Sequence, residues 1–280
     1  MSPSGKGYDL SPAAIEKLID DILSAEPQVL SDKYIMKDIF SFIDFTTLEG
    51  SDNNAKIVQL CNKASSFYEQ GVPLPAAVCI YPTFVRSAKK LLSGTGIKVA
   101  AVTGCFPSGQ APLFLKIEEV KYAVEEGADE IDFVISRGKL LEGNEQYIYD
   151  EVSSVKEIIK NIHLKVILET GELQTADNIR KASEIAISAG ADFIKTSTGK
   201  YLPAATEYAA FIMLNVINDY FVKTGHKIGF KPAGGIATPR QAIRYYMLVR
   251  HLLGKDWLTK DLFRIGASRL ADHLRDEISG

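Results

Sequence analysis

Eight short apolar runs, each followed by a turn and a longer stretch of helical periodicity, recur between residues 40 and 266. This alternation restricts the fold more than any other feature of the chain. The runs occupy 40–46, 76–81, 98–103, 130–135, 165–170, 193–198, 228–232 and 262–266. Stretches between them, such as 113–126 and 175–189, repeat their apolar residues at intervals of three and four, as a helix buried on one face requires. Apolar strands alternating with helices imply parallel pairing under a helical cover, and eight such units close a (β/α)8 barrel, the TIM barrel. An open doubly wound sheet is the competing architecture. It would ordinarily carry GxGxxG after its first strand, where this chain has Phe45-Thr46-Thr47-Leu48-Glu49. The chain's 280 residues therefore read as one α/β barrel domain over 39–280 rather than as two domains, since such barrels commonly use about 250 residues.

Residues 1–38 precede the pattern and predict an N-terminal helical extension packing on the barrel. Ser11 and Pro12 suit an N-cap and first helical position, and Ile15, Leu18, Ile19, Ile22 and Leu23 form one apolar stripe. That helix would cap the barrel floor or meet a second subunit, so a homo-oligomer stays open. Glu16, Lys17, Asp20 and Asp21 on its other face argue against a membrane role. A formal charge of −3 supplies no broad positive field for nucleic acid or an anionic membrane. No run approaches the ~20 apolar residues that span a bilayer, and no secretory leader precedes the pattern. Cys61, Cys79 and Cys105 are odd in number and share no CxxC spacing, which suits a reducing compartment, by default the cytoplasm. His163, His226, His251 and His273 have no ligand-like spacing, so no metal site is expected and surface or helix-end positions are.

A weak internal repeat carries the chemistry. Gly127-Ala128-Asp129-Glu130-Ile131-Asp132 aligns with Gly190-Ala191-Asp192-Phe193-Ile194-Lys195, matching at Gly, Ala, Asp and Ile. Asp132 and Lys195 thus occupy equivalent steps of the fourth and sixth strands and should point inward at similar height. A second lysine, Lys231, stands in the adjacent seventh strand. A lone strand-end lysine is ordinarily solvated or ion-paired, but two lysines and a carboxylate facing one interior form a site of perturbed ionisation. A lysine amine that attacks a carbonyl must be neutral, and at the ordinary pKa of ~10.4 about one in 2,500 is neutral at pH 7. Bringing that value to ~7 takes ~4.6 kcal/mol, within reach of burial plus a positive neighbour such as Lys231. Asp132 is then the best-placed acid/base, with Asp44 and Glu169 as lesser candidates that could instead orient a lysine or cap a turn. Cys79, with no histidine expected beside it, reads as a core thiol.

Glycines follow the last three strands: Gly199 before Lys200, the pair Gly234-Gly235, and Gly266 before Ala267-Ser268. Glycine permits a strand-to-helix turn anywhere, but three neighbouring loops of this kind favour a phosphate site. The chemistry so far fits an imine-forming aldolase, another phosphosugar lyase or isomerase, or a barrel that binds a sugar phosphate without catalysis.

Longer motifs narrow the choice. Ile43-Asp44-Phe45-Thr46-Thr47-Leu48, Ala77-Val78-Cys79-Ile80-Tyr81-Pro82, Leu168-Glu169-Thr170-Gly171-Glu172-Leu173, residues 193–200 and residues 229–235 resemble the deoxyribose-phosphate aldolase family, and the likeness spans roughly 40–270. The resemblance implies a class I aldolase that reversibly cleaves 2-deoxy-D-ribose 5-phosphate into acetaldehyde and D-glyceraldehyde 3-phosphate, without a metal or organic cofactor. It implies Lys195 as the Schiff-base lysine, Asp132 as the proton-transfer carboxylate and Lys231 as the residue tuning Lys195, with Thr198 and Asp44 in support. Three positions depart from the family pattern. Ala237 stands where many relatives have arginine, and Arg269 where many have a second serine, which suggests that Arg269 replaces the missing charge. Some relatives also end in a tyrosine-bearing tail, whereas residues 276–280 here read Asp-Glu-Ile-Ser-Gly, so tail-assisted proton transfer is expected to be absent or replaced.

Overall fold

The computed structural model describes residues 10–280; the first nine residues of the expected extension lie outside the described residues. Eight parallel strands form one sheet: β1 (Ile43–Thr46), β2 (Ala77–Ile80), β3 (Lys98–Thr103), β4 (Glu130–Val134), β5 (His163–Ile167), β6 (Phe193–Lys195), β7 (Gly229–Lys231) and β8 (Ile265–Ala267). Their spatial order is β7-β6-β5-β4-β3-β2-β1-β8. Single parallel bridges from Phe230 to Phe263 and from Ala233 to Gly266 join the two edges and close the barrel.

Two helices precede β1: α1 (Pro12–Ser24) and α2 (Lys33–Ser41). Outside the strands run α3 (Asn54–Ser66), α4 (Val85–Leu91), α5 (Leu113–Glu125), α6 (Arg137–Leu141) and α7 (Glu145–Ile159). The second half adds α8 (Thr170–Leu173), α9 (Ala176–Ser188), α10 (Glu207–Thr224), α11 (Pro239–Leu252) and α12 (Leu270–Ser279). Local chemistry sets many of their starts. Ser11, Asp32, Asn53, Asn144, Thr175, Thr206 and Thr238 each accept a backbone N–H of the first turn that would otherwise lack a partner.

The stripe on α1 behaves as its spacing predicts. Ile15, Ile19 and Leu23 are buried, Leu18 and Ile22 half-buried, and the helix packs on α10 and α11 in the outer ring. Differences arise at element ends. Phe40 and Ser41 belong to α2, a continuous helix across the position where the sequence divides extension from barrel. The fifth strand begins at His163 rather than 165 and is over by Leu168, because Glu169 adopts a left-handed backbone (φ 57°) and Thr170 opens α8. The eighth runs over Ile265–Ala267 rather than 262–266. Apolar periodicity cannot mark an end where burial continues beyond the ladder.

The internal repeat has a structural cause. Gly127 and Gly190 take φ of +98° and +100°, turning the chain from helix into strand. The aspartate two residues later clips the preceding strand: Asp129 accepts the Val99 N–H at 2.8 Å and Asp192 accepts the Leu164 N–H at 2.7 Å. Lys89 and Lys156 neutralise the two carboxylates. Residues three steps beyond each clip, Asp132 and Lys195, therefore enter the barrel from equivalent starting points.

Candidate active site

The barrel interior is built from residues that alternate along the strands. Glu130 and Asp132 on β4, Lys165 on β5, Lys195 on β6, Lys231 on β7, Asp44 on β1 and Arg264 just before β8 are all buried. Lys195 and Lys231 are direct register partners, so the two amines lie side by side as the sequence predicts. Both donate to one oxygen: Lys195 Nζ lies 2.7 Å and Lys231 Nζ 2.6 Å from Asp132 Oδ2. Lys165 Nζ donates to the other oxygen, Asp132 Oδ1, at 3.1 Å.

The remaining partners extend this cluster downward. Lys231 also donates to Asp44, whose second oxygen accepts from Arg264 at 2.6 Å. Arg264 forks onto Glu130 at 2.7 and 3.1 Å, and Glu130 in turn accepts from Lys165. Lys98, half-buried at the barrel floor, reaches Glu130 at 3.1 Å. On Asp44, Glu130, Asp132, Lys165, Lys231 and Arg264 burial opposes charge, yet the opposite charges win. Asp132 is held well below the usual carboxylate range against burial by Lys165, Lys195 and Lys231. Lys231 is held above the ordinary lysine value against burial by Asp132 and Asp44, and Lys165 is raised by Asp132 and Glu130. Asp44 thus pairs with Lys231 and Arg264. Sequence reasoning missed Lys165, Glu130 and Arg264. The Glu-x-Asp spacing on β4 puts two carboxylates on one strand face and was a signal for them.

Above the cluster, a cavity of about 500 Å³ opens beyond the carboxyl ends of β1, β6, β7 and β8, the side where barrel enzymes place their chemistry. Lys195 lines it; Lys231, Asp132 and Asp44 do not. Thr198, Gly199, Lys200, Gly234, Gly235, Gly266, Ser268 and Arg269 all line the same cavity, brought together from three loops. Ala237 lines it too, so the uncharged position 237 and the charged position 269 border one cavity. Arg269 makes no ion pair among the described residues, whereas Lys200 pairs with Glu49 at 2.9 Å. Lys56 and Lys63 of α3 also line the cavity and were not foreseen, because they lie on a helix outside the repeating strand-end pattern.

The glycines do two different jobs. A Cβ on Gly234 (φ +87°) would meet the Gly199 Cα and the Ala204 Cβ at 2.7 Å, so the loops after β6 and β7 touch backbone to backbone. A Cβ on Gly266 would meet Ala233 Cβ at 2.8 Å, with Lys231 Cε next at 3.4 Å, so this glycine lets β8 lie against the residues after β7. Glu169, buried after β5, accepts from the Thr198 hydroxyl and backbone, and burial pushes its carboxyl upward. It anchors the loop after β6.

Cys79 lies in the cluster itself, its Sγ 3.8 Å from Asp132 Oδ2, with burial raising its thiol. It joins Leu48, Val102, Phe106, Val134 and Ile167 in a small apolar group inside the barrel. His226, His251 and His273 are exposed, but His163 opens β5 half-buried beside Phe193. Among the described residues, no group of three or more His, Cys, Asp or Glu side chains is arranged to hold a metal.

Comparison with known proteins fits this geometry. The model for the DeoC/LacD family aldolases matches residues 39–246. Human deoxyribose-phosphate aldolase is 41% identical over 99% of this chain and 95% of its own. The mouse protein of that name is 46% identical over 85% and 79%. The solved structure of a tetrameric deoxyribose phosphate aldolase from Aeropyrum pernix is 26% identical, with a TM-score of 0.72, covering 92% of this chain and 96% of that one.

Proposed function

We propose that this chain, which belongs to the DeoC/LacD family of aldolases, reversibly cleaves 2-deoxy-D-ribose 5-phosphate into acetaldehyde and D-glyceraldehyde 3-phosphate through an imine on Lys195. The observation that carries the choice of lysine is access. Of the three amines bonded to Asp132, Lys195 borders the cavity and Lys165 and Lys231 do not.

In the cleavage direction the neutral Lys195 amine adds to the C1 carbonyl, forming a C–N bond. The carbonyl oxygen takes up protons and leaves as water. The iminium then accepts the electron pair of the C2–C3 bond as the C3 hydroxyl proton departs, releasing glyceraldehyde 3-phosphate and leaving an enamine. Protonation at C2 and hydrolysis return acetaldehyde and the free amine. Asp132 is the carboxylate that exchanges a proton with Lys195 during these steps, and Lys231 keeps Asp132 ionised and disfavours a second charge beside it. The glycine loops, Ser268 and Arg269 receive the phosphate, with Lys200 near it and Thr198 and Asp44 in support.

The chain's substrates are small phosphorylated sugars and aldehydes; the human relative supports a place in deoxynucleoside breakdown and the tetrameric relative a homo-oligomer, while the odd cysteine count without CxxC spacing suits a reducing compartment such as the cytoplasm. Among the described residues, no helix is long and apolar enough to cross a membrane.

The test is covalent trapping. Incubation with acetaldehyde followed by borohydride reduction should add one ethyl group, and peptide mapping should locate it on Lys195. No adduct, or an adduct on Lys231 alone, would overturn the reading.

A further inference from the structure

The buried charges of the barrel form a closed circuit. Starting at Asp132 and passing through Lys165, Glu130, Arg264, Asp44 and Lys231, each ion touches one of opposite sign on either side, and the last returns to Asp132. Three acids alternate with three bases, so the circuit is neutral by itself. Lys195 is the seventh member, attached only through Asp132 Oδ2. With every group ionised, the interior would hold four cations against three anions, with only Lys195 at the cavity edge, and an unbalanced, largely buried ion costs several kcal/mol.

We propose that Glu130, Lys165 and Arg264 are positioning residues that satisfy Asp132 and Lys231 within a self-neutral ring, so that the one surplus proton of the barrel interior is shed from Lys195. This deepens the imine reading and rests on it. None of the three residues lines the cavity, and their effect reaches Lys195 by charge count. The titratable and charged groups on the elements around Lys195 are Asp44 on β1, Cys79 on β2, Glu130 and Asp132 on β4, Lys165 on β5, Lys231 on β7 and Arg264 before β8, and along the cavity it lines, Glu49, Lys56, Lys63, Lys200 and Arg269. From β3 only Lys98 contributes, through Glu130 at the floor.

Charge counting gives shifts of opposite sign, which mere loosening of the core does not. Arg264→Met leaves three bases against three acids, so Lys195 keeps its proton and the pH profile of borohydride-trapped imine should move alkaline by about one pH unit. Glu130→Gln removes an acid at constant volume and should move the profile to lower pH by a similar amount. The double variant restores a surplus of one base and should return the profile toward that of the unaltered enzyme. Arg264→Lys keeps the charge while losing the fork, and should leave the profile in place even where it lowers stability. If Arg264→Met does not fold, as judged by circular dichroism, Glu130→Gln and Arg264→Lys decide the matter between them. Profiles that stay fixed in both single variants, or shift in the same direction, would overturn the ring proposal. Absence of any adduct in the unaltered enzyme at every pH would instead defeat the imine reading on which it rests.

Discussion

At the scale of single residues, identical side chains take different parts because of what they reach. Lys195 and Lys231 share an acceptor, yet only the first borders the cavity. The strand motifs made both visible as candidates, and their separation needed the third dimension. Arg269 shows the reverse case. Its charge lines the cavity without an ion pair among the described residues, in the same cavity as the uncharged Ala237. Replacing it with alanine should raise KM for the phosphorylated sugar about tenfold or more while leaving kcat for a non-phosphorylated deoxy sugar unchanged, because a charge-assisted hydrogen bond contributes ~1.5–3 kcal/mol. Steady-state kinetics on both substrates checks this, and an unchanged KM would remove Arg269 from the phosphate site.

At the scale of elements, loops determine the shape of the cavity. The left-handed Gly234 lies so close to Gly199 and Ala204 that an added methyl has no room. Gly234→Ala should therefore separate the loops after β6 and β7, costing ~1–3 kcal/mol and weakening substrate binding more than Gly235→Ala, which meets open space but shares a positive φ of 80°. Denaturant midpoints and KM for the two variants measure the contrast; equal effects on KM would mean that backbone strain alone matters. The type and order of the elements were legible because apolar periods of two and 3.6 are local. Their ends were less so. Glu169 stops β5 by a left-handed turn fastened to Thr198 on another loop, a contact that no window around residue 169 contains.

At the scale of the whole molecule, the buried ring ties stability to pH. Asp44, Glu130 and Asp132 are held below their ordinary values, so the unfolded chain binds more protons as pH falls. Their contribution is fully present above about pH 5 and is lost as pH drops through the carboxylate range and below. Lys165, Lys231 and Arg264 are raised, so theirs is present below about pH 10 and declines only in stronger alkali. Urea midpoints should hold a plateau through neutral pH and fall steeply below about pH 5. A midpoint that is flat down to pH 3 would mean that the carboxylates are not ionised in the folded chain.

The sequence by itself determined the alternation that makes a barrel, the helix cap at Ser11, and the placement of Asp132, Lys195 and Lys231 on the fourth, sixth and seventh strands. These are local patterns, or motifs in which a charged residue interrupts an apolar strand. Only the tertiary structure decided that Glu130, Lys165 and Arg264 complete a ring with Asp44, Asp132 and Lys231, that Gly266 yields space to Ala233, and that Lys195 is the amine the cavity reaches. Ion pairing and close packing join residues as far apart as Asp44 and Arg264, and closure of the barrel is what brings such partners within hydrogen-bond distance.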